Sequence, residues 1–202
     1  MNLEFLKLFA LSGGNWVIYG LLAASVVAAA VIAERAIVLA REARALESLR
    51  GALAGPIAAG DRTSIAQAVS KGGGAASRIL GDCLKGETRS AAEDRLLAAT
   101  IDERLFLERR LLILGSLGSN SPFVGLFGTV LGVIKAFHDL ALNAGAGPEI
   151  VMAGLSEALI ATAVGLCVAI PCVVSYNYLL KRVSGILSGA ESLSRRILSA
   201  GR

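Results

Sequence analysis

The fold is decided by the stretch FVGLFGTVLGVIKAF, residues 123–137. It belongs to a run without charged side chains between Arg110 and Lys135, which is long enough for a helix to cross the hydrocarbon core of a membrane. Its glycines are poor helix formers, and Thr129 is polar. The stretch therefore predicts a membrane helix that packs closely against a neighbour or forms one wall of a path for ions.

Two other segments have the same apolar character. Residues 16–33, WVIYGLLAASVVAAAVIA, carry no charge and predict about 27 Å of helix. Because arginines follow this run and only Lys7 precedes it, we interpret it as a retained anchor and not as a signal peptide. Residues 151–180 contain one charged residue, Glu157, and predict a third span. The composition agrees, since only 18% of residues are charged, against about 25% in soluble domains.

The distribution of basic residues predicts the topology. Residues 34–110 contain thirteen of the twenty Lys and Arg residues, and residues 138–150 contain none. By the positive-inside rule, the long segment and the C-terminal tail are cytoplasmic, and the N-terminus and the short link are outside. The predicted organisation is an outer N-terminus (1–15), transmembrane helix 1 (16–33), a cytoplasmic helical domain (34–110), transmembrane helix 2 (111–137), an outer loop (138–150), transmembrane helix 3 (151–180) and a cytoplasmic tail (181–202).

The cytoplasmic segment is mixed in charge and predicts a solvated helical domain. The first helix is expected to continue beyond the membrane and to stop before Pro56. A short helix is expected from Asp61 to Ser70, ended by the glycines 72–74. Residues 90–93, SAAE, fit a capping box. No helix breaker follows before the second span, so the pattern predicts one long rod that runs from the cytoplasm into the membrane.

Small or special residues form one stripe on each of the last two spans. Packing between helices and a pore wall are both consistent with such stripes, because small residues let helices approach closely in lipid. The second span carries Gly115, Gly118, Pro122, Gly125, Thr129, Gly132 and Ala136 at steps of three and four. The third span carries Gly154, Ala158, Thr162, Gly165, Ala169 and Cys172.

The candidate functional residues are few. Thr129 and Thr162 lie on the stripes, where a hydroxyl usually bonds a carbonyl of its own helix, and Glu157 lies near the outer end of the third span. No span has a central ionisable residue, so a proton path would need a carboxylate from another chain. The three scattered cysteines and the single His138 predict no metal site, and the sequence predicts no cofactor and no catalytic residues.

Two long motifs resemble the ExbB/TolQ/MotA proton-channel family. They are SPFVGLFGTVLGVIKAF (121–137) and LSEALIATAVGLCVAIPCVVSYN (155–177), and ERAIVLARE (34–42) is also similar to the three-span ExbB and TolQ branch. The resemblance covers nearly the whole chain, and the three predicted spans disfavour a four-span MotA stator. Residues 121–122 and 152–156 depart from the usual family pattern, which leaves the subfamily open.

The resemblance implies an all-α polytopic protein that assembles as a ring-like homopentamer in the bacterial inner membrane. The outer segments would then be periplasmic. A dimeric ExbD/TolR-like partner with one span per chain would carry the missing aspartate inside the pore. Proton flow would drive work on the envelope, through a TonB/TolA-like protein that spans the periplasm in some systems. No nucleic acid is implied.

The resemblance also assigns roles to residues. Thr129, Thr162 and Glu157 match the GTV, ATA and EAL motifs and would be pore-lining or gating positions. The stripes of small residues, and not the resemblance, place Gly125, Gly132, Pro122, Ala158 and Gly165 on the helix-packing or pore face. The alternative function is a membrane scaffold that assembles partners without conducting ions. An enzyme is disfavoured, because no nucleophile with its base and no nucleotide loop is found.

Overall fold

The chain forms long helices joined by short turns. A computed structural model describes residues 14–142 and 149–200, without the side chain of Ile150. Within these ranges the helices are α1 (Asn15–Ala59), α2 (Arg62–Lys71), α3 (Gly74–Cys83), α4 (Arg89–Glu108), α5 (Leu111–Leu142) and α6 (Glu149–Ala200). The all-α prediction is confirmed for this part of the chain. Much of the predicted outer N-terminus and outer loop lies outside the described residues.

Three of the helices are long and apolar enough to cross a membrane, judged by length and composition. They are α1, α5 and the part of α6 from Val151 onward, and each contains one of the three predicted apolar runs. Each helix is longer than its span, since α1 continues to Ala59, α5 to Leu142 and α6 to Ala200. The structure therefore agrees with a polytopic protein with three transmembrane helices.

The described residues divide into two compact units. The first unit comprises the chain up to Ile32 together with Leu112–Tyr176. It presents large apolar side chains outward, including Tyr19, Phe123 and Leu159, each of which is more than half exposed. Exposing such a surface to water is unfavourable, whereas lipid solvates it. This unit therefore has the exterior of a membrane protein.

The second unit comprises Ala33–Leu111 together with the chain from Asn177 onward. Its core is aliphatic, as expected for a helical domain in water. The end of α6 belongs to this core, because a Cβ atom added to Gly189 would lie 2.6 Å from Leu46 Cδ2 of α1. The buried core residues include Leu46, Leu49 and Leu53 of α1, Ile79 and Leu80 of α3, and Leu179, Val183 and Ile186 of α6.

Charged side chains connect three helices of the second unit. Arg78 of α3 donates to both carboxylate oxygens of Glu103 on α4, at 2.5 and 2.7 Å. Its guanidinium also lies 5.6 Å from the centre of the Phe106 ring. Glu42 of α1 accepts from the backbone N–H of Ala75 at 2.6 Å, where α3 begins. The hydrogen bonds with Glu103 raise the pKa of Arg78, so the guanidinium stays charged.

The prediction that the first helix stops before Pro56 is wrong. Pro56 lies inside α1, which ends at Ala59. A proline costs a helix one backbone hydrogen bond to the preceding turn, and here only one more turn follows. That turn is closed by hydrogen bonds from Gly60 to Ile57 and from Asp61 to Pro56, and Gly60 has the positive φ of +66° that ends many helices.

The predicted single rod is also wrong, because the backbone breaks between α4 and α5. Arg109 is extended, and Arg110 has a positive φ of +68°, which is uncommon for a residue with a side chain. A tertiary contact holds this conformation, since the guanidinium of Arg110 donates to the carboxylate of Glu34. The sequence lacks a glycine or proline here, so its helical pattern gave no sign of the break.

Two expectations about helix ends need correction. The N-cap of α4 is Thr88, whose hydroxyl accepts from the backbone N–H of Ala91 at 3.2 Å, so SAAE is not a capping box. Glu93 instead pairs with Arg89 in the first turn. The short helix α2 is confirmed within one residue at each end, and Gly72 is its C-cap, but Gly74 begins α3 instead of ending α2.

Candidate functional site

The second and third apolar helices contact each other through their small residues. A Cβ atom added to Gly125 would lie 2.7 Å from the carbonyl oxygen of Ala161 and 3.0 Å from Thr162 Cα. One added to Gly165 would lie 2.6 Å from the carbonyl oxygen of Ser121. These distances are too short for real carbon atoms, so the backbones of α5 and α6 approach this closely only because both residues are glycines.

The same contact continues along both helices. A Cβ atom on Gly132 would lie 2.6 Å from Ala158 Cβ, and one on Gly154 would lie 2.6 Å from Ala136 Cβ. As the numbers rise along α5 they fall along α6, so the two helices run antiparallel. This contact within one chain includes four residues of the predicted helix-packing or pore face, namely Gly125, Gly132, Ala158 and Gly165. Pro122 is half-buried in the interior of α5.

The two candidate threonines meet across this contact. Thr129 Oγ1 and Thr162 Oγ1 are 2.5 Å apart, so one hydroxyl donates to the other. Thr129 Oγ1 also lies 3.2 Å from the carbonyl oxygen of Gly125 and 3.4 Å from that of Ala158. Both threonines are half-buried. The expected bond within the helix is therefore present for Thr129, together with a bond to the other helix that the sequence did not reveal.

This pair has a definite chemical capacity. Each hydroxyl has one proton and two acceptor positions, so the pair can both donate to and accept from a polar group next to it. Neither hydroxyl titrates near neutral pH, so the pair can pass a proton but cannot hold one.

Glu157 lies apart from the threonine pair, toward the end of the same helix contact where α5 ends and α6 begins. It is exposed and lines a small cavity of about 280 Å³ between the ends of α5 and α6. Lys135 and Asp139 of α5, both half-buried, line the same cavity. The cavity can hold several water molecules, each of which takes about 30 Å³ in the liquid. One ammonium and two carboxylates are thus gathered at one end of the contact.

Sequence reasoning missed two of these three charged residues. Lys135 was used only to mark the end of an uncharged run, although it lies close to the small-residue stripe. Asp139 follows Ala136 by three residues and so continues that stripe by one more step, which is a signal that the spacing contained. Lys135 lies near the end of the motif at 121–137, and Asp139 lies two residues beyond it.

The side chains that could bind a metal ion lie apart from one another in the part of the chain that the structure describes. Within residues 14–142 and 149–200, no three His, Cys, Asp or Glu side chains come together as metal ligands would. Of the cysteines, Cys83 and Cys172 are buried and Cys167 is exposed, and all three are free thiols. Burial raises the pKa of the Cys83 thiol in the second unit, which favours its protonated form.

Comparison with known proteins agrees with the motifs. The model of the MotA/TolQ/ExbB proton channel family matches residues 64–192. Over 84 residues the chain is 49% identical to the biopolymer transport protein ExbB of Helicobacter pylori, covering 42% of this chain and 57% of that protein. Over 71 residues it is 52% identical to the Tol-Pal system protein TolQ of Pseudomonas aeruginosa, covering 35% of this chain and 31% of that protein.

The matched segments are thus only part of each relative, about half of the Helicobacter pylori protein and a third of TolQ. The family model, however, covers well over half of this chain, from Ser64 in α2 to Ser192 in α6. The three long apolar helices are those of a multi-pass membrane protein. The chain belongs to the MotA/TolQ/ExbB proton channel family.

Proposed function

We propose that this chain is the channel subunit of a proton-driven machine in the bacterial inner membrane, where it converts the proton motive force into mechanical work on the cell envelope. The observation that carries the proposal is the pair of hydroxyls of Thr129 and Thr162, 2.5 Å apart between two closely packed apolar helices. The two hydroxyls would give a proton path one polar position in a region where the surrounding side chains are apolar.

The absence of an ionisable residue from the central part of each span points to a second chain. Protons cross a membrane through groups that bind and release them, and threonine does neither at physiological pH. We expect the missing carboxylate to come from an ExbD/TolR-like partner with a single span, present as a dimer. A TonB/TolA-like protein would transmit the work across the periplasm. The channel would then be complete only in the complex.

A homopentamer is the assembly we propose for this chain. The first unit exposes many large apolar side chains, including Leu126, Val130, Ile170 and Val174. Other protein chains can cover part of this surface, and lipid the rest. In a ring, part of this surface would face neighbouring copies, part the partner helices and part the bilayer. Thr129, Thr162 and Glu157 would face the interior of the ring, with the close contacts of Gly125 and Gly132 setting their positions.

The orientation follows from charge. The second unit contains the basic segment after the first span, and the described end of α6 adds Arg195 and Arg196. We place this unit in the cytoplasm by the positive-inside rule, with the N-terminus and the link between α5 and α6 in the periplasm. In that orientation the cavity of Glu157 opens on the periplasmic side, from which the proton motive force drives protons inward.

A membrane scaffold is the second candidate, favoured by the glycines themselves. The contacts of Gly125, Gly132 and Gly165 are fully explained by packing within one chain, which a scaffold also needs. The family is one of transport and channel proteins, so an enzyme is not a competing proposal. The two candidates differ in what they require of the threonine hydroxyls.

Replacing Thr162 with valine separates the two functions. Valine has nearly the same shape, so it keeps the helix contact but removes one hydroxyl of the pair. The Thr129 hydroxyl keeps its bond to the Gly125 carbonyl, but the path loses the hydrogen bond between the two hydroxyls. A barrier raised by about 0.5–1.5 kcal/mol, the net contribution of one hydrogen bond, corresponds to a fall in proton flux of about twofold to tenfold. The measurement is proton uptake by liposomes that contain the complex purified from native membranes, with assembly checked by native mass spectrometry.

Two control variants make the result specific. Thr162→Ser keeps the hydroxyl and is expected to keep most of the flux. Thr100→Val removes a half-buried hydroxyl that bonds Leu96 within α4, outside the apolar spans, and is expected to leave the flux unchanged. Normal flux in an assembled Thr162→Val complex would contradict the channel proposal and favour the scaffold.

A further inference from the structure

One side of α4 exposes large apolar side chains, although α4 belongs to the second unit, whose core is that of a helical domain in water. Leu97, Ile101 and Leu105 follow one another at steps of four, so they lie on one side of the helix, and each is more than half exposed. We call this side the α4 face. An exposed apolar patch of this kind on a domain in water marks a contact with another molecule. The buried residues of α4 are others, and they already pack in the core: Ala92, Leu96 and Leu107.

The part of α1 in the second unit has an exposed side of a different character. Ile37, Arg41, Arg44 and Ser48 are exposed and follow one another at steps of four, three and four, so they lie on one side of the helix. We call this side the α1 face. Among the described residues, neither Arg41 nor Arg44 forms an ion pair. The α1 face is therefore basic, and its two guanidinium groups are available to another molecule.

The charges of the two faces are complementary. The charged residues on or beside the α4 face are mostly acidic, with three carboxylates and one guanidinium: Asp94, Asp102, Glu108 and Arg104. Asp94 and Asp102 are exposed, and within the described part of the chain neither forms an ion pair. One chain thus carries an acidic, apolar face and a basic face, which suits contact between two copies of the chain.

Two contacts inside the second unit give the register of α4 against α1. Arg78 donates to Glu103 of α4, and its Nη2 atom lies 3.9 Å from a carboxylate oxygen of Glu42 on α1. Glu42 and Glu103 therefore lie at about the same level. Arg110 donates to Glu34, and these residues lie seven positions after Glu103 and eight positions before Glu42. The two helices therefore run in opposite directions.

This register places the two faces at matching levels. Ser48 follows Glu42 by six residues and Leu97 precedes Glu103 by six, so both lie about 9 Å from the common level and in the same direction. All copies in a ring around an axis normal to the membrane stand at the same height. A residue can therefore contact the next copy only near its own level, as Ser48 and Leu97 could.

The charged residues match in the same way. Arg41 precedes Glu42 by one residue, and Asp102 precedes Glu103 by one, so their levels differ by about 3 Å. The level of Leu105 differs from that of Arg41 by about 1.5 Å.

We propose that the α4 face of each copy packs against the α1 face of the next copy around the ring, an inference that rests on the proposed pentamer. Asp102 of one copy pairs with Arg41 of the next. The carbon stem of Arg44 covers Ile101, which lies at the same level, while its guanidinium stays in water. Because the two faces are different surfaces, the same contact repeats from copy to copy until the ring closes.

Disulfide cross-linking in native membranes tests the contact and its register. Two chains with different tags are co-expressed, and each carries one new cysteine at an exposed position. Every chain also carries Cys167→Ser, which leaves only the buried Cys83 and Cys172. The matched combinations are Ser48→Cys with Leu97→Cys, and Arg41→Cys with Leu105→Cys. After oxidation both should give a dimer that carries both tags on a non-reducing gel, because a disulfide joins Cα atoms up to about 7 Å apart.

The mismatched combinations use the same four substitutions and so control for any effect on folding. They are Ser48→Cys with Leu105→Cys, and Arg41→Cys with Leu97→Cys. Their levels differ by about 10–12 Å, which is too far for a disulfide, so the dimer should be lost.

A charge reversal provides a second measurement without cysteines. Arg41→Asp and Asp102→Arg should each lower the fraction of intact pentamer in native mass spectrometry by about twofold or more, since each places like charges together. The double reversal restores opposite charges and should restore the pentamer.

Cross-linking of the matched combinations alone supports the contact. No matched cross-link in a complex that is pentameric by native mass spectrometry, or equal cross-linking of all four combinations, would overturn it and leave the ring. A dimer from Leu97→Cys chains alone would mean that α4 faces α4, and a cross-link to a protein of another mass would give the α4 face a different partner. Either result would overturn the proposal. A wild-type chain that is monomeric in native membranes would overturn the pentamer and this inference with it.

Discussion

Replacing Gly125 with alanine tests whether the α5–α6 contact is as close as the structure gives it. The new Cβ atom would lie 2.7 Å from the carbonyl oxygen of Ala161 and 3.0 Å from Thr162 Cα. Both are backbone atoms, so no side-chain rotation relieves the overlap, and α5 and α6 must separate by several tenths of an ångström. Inserting a methyl group into a packed interior typically costs 1–3 kcal/mol.

The helix itself offsets part of this cost, because alanine is about 1 kcal/mol better than glycine inside a helix. The net expectation for Gly125→Ala is a loss of up to about 2 kcal/mol, or a lowering of the unfolding temperature by up to about 8 °C for a chain of this size. Separation of the helices also lengthens the bond between Thr129 and Thr162, so proton flux should fall as well.

The matched control is Gly20→Ala in α1, where an added Cβ atom has nothing within 4 Å. This substitution also replaces glycine with the better helix former but creates no steric overlap, so it should leave the stability of the protein unchanged or raise it. The assay is thermal unfolding of purified protein in lipid nanodiscs, followed by the fluorescence of Trp16, whose ring lies 6.3 Å from that of Phe127 on α5. An unfolding temperature for Gly125→Ala equal to that of Gly20→Ala would refute the contact.

Three further predictions concern the second unit. Thr88→Ala should lower the stability of the second unit by about 1 kcal/mol in chemical denaturation, because it removes the N-cap of α4. Ser90→Ala should have little effect. A larger loss for Ser90→Ala than for Thr88→Ala would instead support a capping box at SAAE. Arg78→Met breaks the two-bond pair with Glu103 and should speed backbone hydrogen exchange in α3 and α4, and unchanged exchange would show that the pair is dispensable. Asp61 accepts hydrogen bonds from the hydroxyls of Ser64 and Thr63, which lower its pKa from 3.8 to about 2. Its stabilising effect is therefore full above about pH 4 and is lost as the pH falls through 2. The difference in unfolding temperature between wild type and Asp61→Ala should shrink as the pH falls from 4 to 2, and a difference at pH 2 as large as that above pH 4 would contradict the role of the ionised carboxylate.

The sequence predicted the apolar helices well for a physical reason. A charged side chain is costly in a hydrocarbon environment, so the uncharged runs at residues 16–33 and 111–134 have one reasonable interpretation. The small-residue stripes likewise predicted which faces of α5 and α6 would pack, because glycine and alanine determine how closely backbones can approach. These features depend on single helices and on their composition.

Features that depend on tertiary contacts could not be predicted in the same way. The break at Arg110 is held by a bond to Glu34, which is 76 residues away along the chain, and no local signal marks it. The bond between Thr129 and Thr162 likewise spans 33 residues, and periodicity placed each threonine on a face without identifying its partner.

Two errors have a more local cause. Thr88 and Ser90 are both good N-cap residues, and the choice between them depends on where the preceding turn leaves the backbone. Lys135 and Asp139 were passed over because a charge at the end of an apolar run is usually interpreted as the membrane boundary. The structure brings both residues into one cavity with Glu157, which only the register of α5 against α6 reveals.

Proton flux through the chain with and without its partners tests the central claim most directly. Liposomes would contain either the complex extracted gently from native membranes or this chain purified alone, at equal protein density and under the same imposed pH gradient. The account predicts proton uptake with the complex and little with the chain alone, because the described spans supply hydroxyls and no central group that holds a proton. Equal uptake by the chain alone would contradict the need for a partner carboxylate, and no uptake by the intact complex would contradict the channel itself.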